Sequence, residues 1–558
     1  MGYLEKSSSW DLIARHTCSA QELLLAFPTI TLRSLLEQYS ILTAPASLIP
    51  ELATYPDIVY LEKPKRFFLD FDMPTRSNAT PSLSPRVAQN DLPEGLTGRN
   101  ILIGIIDSGI DYFHPDFRKE DGSSRIRYLW DQTLPPERSV FNQEMINQAL
   151  ATPDRDAALS ICPSLDTSGH GTHVAGIAAG NGRASNGKNT GIATDAELII
   201  VKLANANSAF SPGTTQIMEA ADFCVRKSIE LRQPIAMNLS IGSIFGSHSG
   251  YDLLETYLDQ LLLQTRGSFI VGSGNLGNSA QHFRSSSRST NMEFVVGSYE
   301  TAVSLQIWKS FTDSLTISLE GPNSTDKQTL TIESSAKLYF FPGYEVFVFY
   351  GLPTPYSPFQ EIYLEYLPSS ANSAAGNSPL GYLPSGLYRV EVTTTSSKTG
   401  NWNAWISSSS FNAATGFLES TPETTLTIPS SSSRVLTVGA YQPLGETYAS
   451  FSGRGFTNYL NLPKPDLVAP GVNIVSCSPG GTYTSKSGTS MAAPFVTGVA
   501  ALLMEYGIVQ GQNTDLYGEK LKAVLQKYAS PLAAYPSYPT PEVGWGALHF
   551  PPLPLSLI

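Results

Sequence analysis

The sequence predicts an α/β fold, a mostly parallel sheet with helices on both faces, carrying an all-β insertion and preceded by a small α+β unit. Three observations predict it. From about residue 97, apolar runs that read as buried strands alternate with amphipathic stretches; the alternation stops near 285 and resumes near 425. A Pro-, Ser- and Asn-rich stretch, Met73 to Gly95, sets the first 70 residues apart. Five segments follow: 1–70, an α+β unit; 71–96, a linker; 97–284 and 425–558, two halves of one α/β unit; and 285–424, a β-sandwich or jelly-roll-like insertion.

Length and composition bound what this chain does. Its 558 residues exceed one ordinary domain, and 41% hydrophobic against 15% charged residues leaves ample material for a core. No apolar run approaches the roughly 18 to 20 residues of a membrane span, so no membrane partner is expected. A net charge of -12 disfavours nucleic acid and anionic surfaces, and the basic cluster Lys63, Lys65 and Arg66 reads as a solvated segment. The opening MGYLEKSSSWDLIARH lacks the basic segment and apolar core of a secretory signal, which predicts cytoplasmic synthesis without export by that route. Cys18, Cys162, Cys224 and Cys477 lie far apart without metal-type spacing and are expected as free, mostly buried thiols.

In chain order, the first unit offers a helix over Ser47 to Thr54, a turn at Tyr55-Pro56-Asp57, a strand over Ile58 to Glu62 and an extended tail. The run Ile101 to Ile106 is a buried-type strand ending at Asp107, a carboxylate where open α/β sheets place their sites. An Asp before Ser-Gly is also a common turn former. His114 reads as structural. DTSGHGTHVAG starts a helix with His170 between glycines that leave its ring open to a neighbour. His173 one turn on is a weak metal-ligand pair with it, and no metal site is expected.

AELIIVKL and PIAMNLSIGS are further strands, with a helix over Thr214 to Glu230 between them and another over Asp252 to Leu263 after them. GSFIVGSGNLGN then ends a strand in a turn that aims the Asn275 amide above the sheet. The insertion contributes FVVGSY, VSLQIW, SLTISLEG, TLTIES, EVFVFYG, EIYLEYL, YRVEVTT and NWNAWISS as strands, with Trp308, Trp402 and Trp405 expected in its core. After it come TLTIPSSSSRVLTVGAY, KPDLVAPG and SGTSMAAPFVTG.

The last of these puts Ser490 at or near the N-terminus of an apolar, small-residue helix, where free N–H groups and the helix dipole favour an oxyanion. Pro494 falls in the first turns, where proline is best tolerated. A serine hydroxyl needs a base, a group to orient the base, and oxyanion donors. His170, Asp107 and Asn275 supply those residue types, and a folded unit upstream of such a nucleophile suggests a prodomain.

With all four motifs in chain order, DSGID, GHGTHVAG, SGN and GTSMAAP, together with NLSIG and KPDLVAPG, the chain resembles the subtilisin-like serine proteases. The resemblance covers about Thr97 to Arg284 and Thr425 to Gly546, and PDIVYLE is similar to the family's inhibitory prodomain. It implies a subtilisin-like parallel sheet and a self-processing endopeptidase with a protein or peptide substrate. It also implies Ser490 as nucleophile, His170 as base, Asp107 as its orienting partner and Asn275 as oxyanion donor. Ser240, Ile241 and Gly242 are implied as the edge to which substrate pairs as an added strand, and Leu276 as an apolar part of the primary pocket rim. Cleavage is expected between about Arg66 and Arg76, with the prodomain retained in the cleft. No cofactor is expected, and no loop matches the family's strong calcium site.

Prodomain, intact triad and insertion together look most like the Csp germination proteases of clostridia, which implies limited cleavage of another zymogen and association with spores. Two other readings stay open: a silent binding or sensor protein, and a general degradative protease.

Overall fold

Residues 9–69, 81–204, 212–285, 287, 289–322, 327–331, 336–369, 381–397, 400–408 and 414–555 are described by the computed structural model. A nine-stranded sheet forms the centre of the α/β unit. Its strands run in the order Thr447–Tyr448, Leu436–Gln442, Gly267–Gly272, Ile235–Leu239, Leu102–Asp107, Glu197–Lys202, Ile126–Asp131 and Val140–Asn142, with Leu467–Pro470 also pairing to Leu436–Gln442. The two edge strands 447–448 and 140–142 are antiparallel; every other pairing is parallel. Parallel strands covered on both faces must be apolar on both, which is why LIGIID and IAMNL are buried at every position.

One face packs on the His170 helix (His170–Ala179), the Ser490 helix (Thr489–Met504) and Gly518–Lys527. The other face packs on the helices Thr214–Leu231 and Leu253–Leu261. The Ser490 helix with its continuation to Val509 is long and apolar enough to cross a membrane, but it is the buried core helix of this unit.

The N-terminal unit is a four-stranded antiparallel sheet in the order Thr31–Ser34, Tyr39–Ala44, Trp10–His16, Ile58–Glu62. Helices Ala20–Ala26 and Ile49–Thr54 cover one of its faces with Leu23, Phe27 and Leu52 packed on Leu12, Leu42 and Ile58. The first of them starts in a capping box, Ser19 with Glu22. Successive strand residues point to opposite faces, so Ile13, Tyr39 and Ile41 face the other way, into the core formed by the Thr214 and Leu253 helices. Arg33 Nε pairs with Glu219 at 2.8 Å, and the Leu36 N–H donates to Asp222 Oδ1 at 2.9 Å, tightening that contact.

Lys65 departs from the solvated reading. Its side chain is 13% exposed and its Nζ lies 2.6 Å from Asp252 and 3.0 Å from Glu62. Lys63 and Arg66, by contrast, are exposed.

The insertion is two packed sheets. One has six strands, His282–Arg284, Trp402–Ser408, Val303–Ser310, Phe359–Pro368, Tyr344–Tyr350 and Lys337–Phe341; the other has five, Gln328–Thr329, Ser314–Glu320, Gly386–Ser396, Ser289–Val296 and Gly416–Phe417. Trp402 lies in the core between them. Trp308 and Trp405 do not, which corrects their assignment: they pack with Phe359 against Ile244, Phe245 and Leu276 of the α/β unit. They belong to the outer face of the six-stranded sheet, which here is a domain junction. Trp405 is stacked between His248 at 4.1 Å and His282 at 4.7 Å.

Candidate active site

Asp107 ends its strand fully buried, and its Oδ1 lies 2.7 Å from His170 Nδ1 and accepts the Ser108 N–H at 2.7 Å. Among the described residues its Oδ2 has no hydrogen-bond partner, so this carboxylate is aimed at one imidazole. His170 opens its helix after Gly169, whose φ of +71° favours glycine. A Cβ on Gly171 would fall 2.2 Å from the Gly109 carbonyl, so only glycine lets the helix come this close to the strand end. Asp166, which the motifs did not single out, fixes that helix start. Its Oδ1 accepts from Gly169 N at 2.8 Å and Ser108 Oγ at 2.9 Å, and its Oδ2 from Thr172 N at 2.9 Å. An Asp just ahead of a helix start was the available signal.

Ser490 is the second residue of its helix. Its Oγ donates to the Ser240 carbonyl at 3.1 Å. Pro494 has no N–H for the Ser490 carbonyl four residues back, and the Ser240 hydroxyl donates to that carbonyl instead, at 3.3 Å. Behind Ser240, Asn238 Nδ2 donates to Ser240 Oγ at 2.9 Å, and Thr497 Oγ1 donates to Asn238 Oδ1 at 3.0 Å. Asn238 and Thr497 were also missed. Each is a fully buried polar residue inside an apolar run, the kind of position that demands a partner.

Asn275 is 8% exposed and its amide orientation is fixed, because Oδ1 accepts the Thr489 N–H at 2.9 Å. Its Nδ2 is therefore the free face, buried and without a hydrogen-bond partner among the described residues. A donor set aside beside a hydroxyl at a helix N-terminus suits a developing oxyanion. Leu276, the next residue, is half-buried against the junction with the insertion.

The predicted substrate edge is occupied. Phe68–Leu69 pairs antiparallel with Ile241–Gly242, Gly242 opposite Phe68 and Ile241 opposite Leu69. On its other side the same tail bonds to 212–214: Phe67 N donates to Pro212 O at 2.8 Å and Thr214 N to Lys65 O at 2.9 Å. Phe67 is fully buried. The chain thus lies as a middle strand in the groove. Ser240, the residue before Ile241 on this edge, is the one whose carbonyl accepts the Ser490 hydroxyl.

A family model described as the subtilase family matches residues 98–346 and 371–546. This chain belongs to the subtilase family. Within the family it is of the Csp type: residues 1–65 match the Csp protease B prodomain, and the structure of the Clostridium perfringens CspB protease superposes with a TM-score of 0.75 at 34% identity, over 84% of this chain and 94% of that one. The minor extracellular protease Vpr of Bacillus subtilis is 25% identical over 83% of the chain and 54% of its own length. The serine protease AprX of the same organism is 39% identical over 18% of the chain and 26% of its own length. The chain spans about half the length of Vpr.

Two other groups are accounted for without a ligand. His114, Asp116 and Cys477 come together, but Asp116 Oδ2 accepts from Tyr483 Oη at 2.7 Å and Cys477 Sγ at 3.3 Å, and Oδ1 from Ala184 N at 2.8 Å. His114 Nδ1 accepts the Asp116 N–H at 3.2 Å and its Nε2 faces the Thr482 carbonyl at 3.1 Å. His173 Nε2 faces the carbonyls of Ile474 and Thr484, both at 3.1 Å, and burial pushes its pKa down to about 3, a neutral structural ring. Cys162, Cys224 and Cys477 are free and buried, and Cys18 is free and half-buried.

Proposed function

We propose that this subtilase is a serine endopeptidase made as a self-processing zymogen. Ser490 attacks the scissile carbonyl, His170 takes the Oγ proton and returns it to the leaving amine, and Asp107 holds the ring and stabilises its cation. The Asn275 amide and the Ser490 N–H receive the oxyanion. Ser240, Ile241 and Gly242 bind the substrate backbone as an added strand, and Leu276 contributes apolar surface beside the reacting carbonyl.

The observation that carries this reading is the tail in the groove. Phe68–Leu69 is held by main-chain pairing on Ile241–Gly242, and the adjacent residue of that edge, Ser240, accepts the Ser490 hydroxyl. This pairing supports the reading of the prodomain as the first substrate. The expected cleavage window, 66–76, extends into residues 70–80, which lie outside the described residues; with Phe68–Leu69 on the edge, the cut falls after Leu69. The cleaved prodomain stays docked on the Thr214 and Leu253 helices. An enzyme so held has restricted access, which favours limited cleavage of another zymogen over general degradation.

A fluorophosphonate probe tests the chemistry. The expected result is a single adduct on Ser490 in the wild type and none in Asp107→Asn or His170→Ala. An unlabelled Ser490, or labelling that survives His170→Ala, overturns it.

A further inference from the structure

Lys65 is a lysine in the last stretch of the prodomain with its ammonium out of water. It sits 2.6 Å from Asp252 Oδ1 and 3.0 Å from Glu62 Oε1, and the three side chains are 13%, 6% and 12% exposed. Its main chain is fixed on both sides of the site: Lys65 N donates to Thr214 Oγ1 at 2.8 Å, and Lys65 O accepts the Thr214 N–H at 2.9 Å. Glu62 is also tied to the catalytic unit, because its Oε2 accepts the Leu253 N–H at 3.1 Å in the first turn of that helix. Asp252 is the N-cap of the Leu253 helix, in a capping box with Glu255, and its Oδ2 is buried with no hydrogen-bond partner among the described residues, so Lys65 is the cation paired with its charge.

The insertion lies against this part of the prodomain. Glu361, on the strand Phe359–Pro368, is within electrostatic reach of Lys65, and burial, then Asp252 and Glu62 against the pull of Lys65, pushes its carboxyl up to about 7. Burial also raises the carboxyl of Glu365, four residues on from Glu361, against the pull of Lys63 and Arg66. A second contact supports the same geometry: Tyr356 of the insertion meets Tyr60 edge-on at 6.3 Å, and the Arg15 guanidinium lies 5.1 Å over the Tyr356 ring. Glu255, buried beneath Asp252, accepts from Ser431 Oγ at 2.6 Å, and burial raises its pKa to about 8, so it adds little charge at neutral pH.

Once the tail is cut, the prodomain is a separate molecule, and leaving requires Lys65 to come out of this pocket. Removing one partner of a buried pair leaves the other charge uncompensated, which makes such a pair a strong brake on dissociation. We propose that Lys65 is the lock that keeps the cleaved prodomain in the groove. Asp252 of the catalytic unit receives it, and the inserted β domain, whose Tyr356 meets Tyr60 and Arg15, serves as the second jaw on the prodomain. The inference rests on the reading that the prodomain is cut from the chain and retained.

The test is made independent of self-processing. A thrombin site is placed within 73–78 of the full-length Ser490→Ala chain, the chain is cut with thrombin, and prodomain dissociation is followed by size exclusion and native mass measurement. The expected result is a prodomain that co-elutes with Lys65 present, leaves about a hundredfold faster in K65M, and is retained in K65R. Tyr356→Ala, which leaves the prodomain's own sequence intact and removes the insertion's contacts with Tyr60 and Arg15, is expected to speed release about tenfold. Equal release of Lys65 and K65M overturns the lock, as does K65R behaving like K65M. Release unchanged by Tyr356→Ala overturns the insertion's part. Failure of the wild type to cut itself leaves this measurement readable and counts against the processing reading alone.

Discussion

Ser240 and Ser490 exchange two hydrogen bonds: Ser490 Oγ donates to the Ser240 carbonyl at 3.1 Å, and Ser240 Oγ donates to the Ser490 carbonyl at 3.3 Å. The substrate edge and the nucleophile are therefore registered to each other through one residue. The second bond exists because Pro494 leaves the Ser490 carbonyl without its helical donor. A proline in the first turns of the core helix thus becomes part of how the serine is placed.

The Ser240 hydroxyl is itself oriented by Asn238 and, through it, Thr497. Asn238→Ala is expected to destabilise the fold by about 1 to 3 kcal/mol, because it removes two hydrogen bonds from a fully buried network and leaves a void where the amide was. The same change is expected to lower kcat more than it raises KM. Chemical denaturation and steady-state kinetics on one preparation check both effects, and Thr497→Ser, which keeps the hydroxyl, should restore most of what Thr497→Val loses.

Asn275 Nδ2 is placed to meet charge that exists only in the transition state. Asn275→Leu is expected to cost about 2.7 to 4 kcal/mol in the barrier, roughly a hundredfold or more in kcat, with KM little altered. Labelling of Ser490 should slow without disappearing.

Asp107 reaches His170 with one oxygen, so Asp107→Asn keeps the shape and changes the proton inventory. An amide nitrogen facing Nδ1 favours the wrong imidazole tautomer, and a fall of about ten-thousandfold in kcat is expected. Processing of the chain, followed by denaturing gel over time, should stall to match.

Two buried histidines give a pH signature. Burial holds His173 and His282 down to about 3, each fully enclosed, against an ordinary value near 6.5. Unfolding lets them take up protons between those values, so their contribution to stability is intact above about pH 6.5 and declines as pH falls towards 3. At pH 4.5 the loss is about 2 to 3 kcal/mol for each ring. Melting of the Ser490→Ala chain from pH 7 to 4.5, beside the same chain with His173→Gln, should show a shallower pH slope in the variant.

Much of this site was legible because its chemistry needs particular residue types in short, glycine-bounded phrases. Asp107, His170, Asn275 and Ser490 each stand at the end of a strand or the start of a helix, where side chains converge above the sheet. The alternation of strands and helices, and its interruption near residue 285, placed the layers. Contacts between distant segments were not legible. Lys65 looked like one member of an exposed basic cluster, because nothing near it in sequence reveals Asp252 or Glu361. Trp308 and Trp405 looked like sandwich core for the same reason: alternation along a strand gives which residues share a face, and the catalytic unit decides whether that face is covered. The strand Tyr39–Ala44 is apolar on both faces, which a small sheet backed by helices on one side does not need unless the other side is docked.

The most direct measurement is intact mass under denaturing conditions for the wild type beside Ser490→Ala. The account predicts two pieces in the wild type, joined in sequence at a bond between Leu69 and Arg76, and an uncut chain in the variant. Two uncut chains, or the same cut in both, would contradict a working Ser490 that processes its own tail.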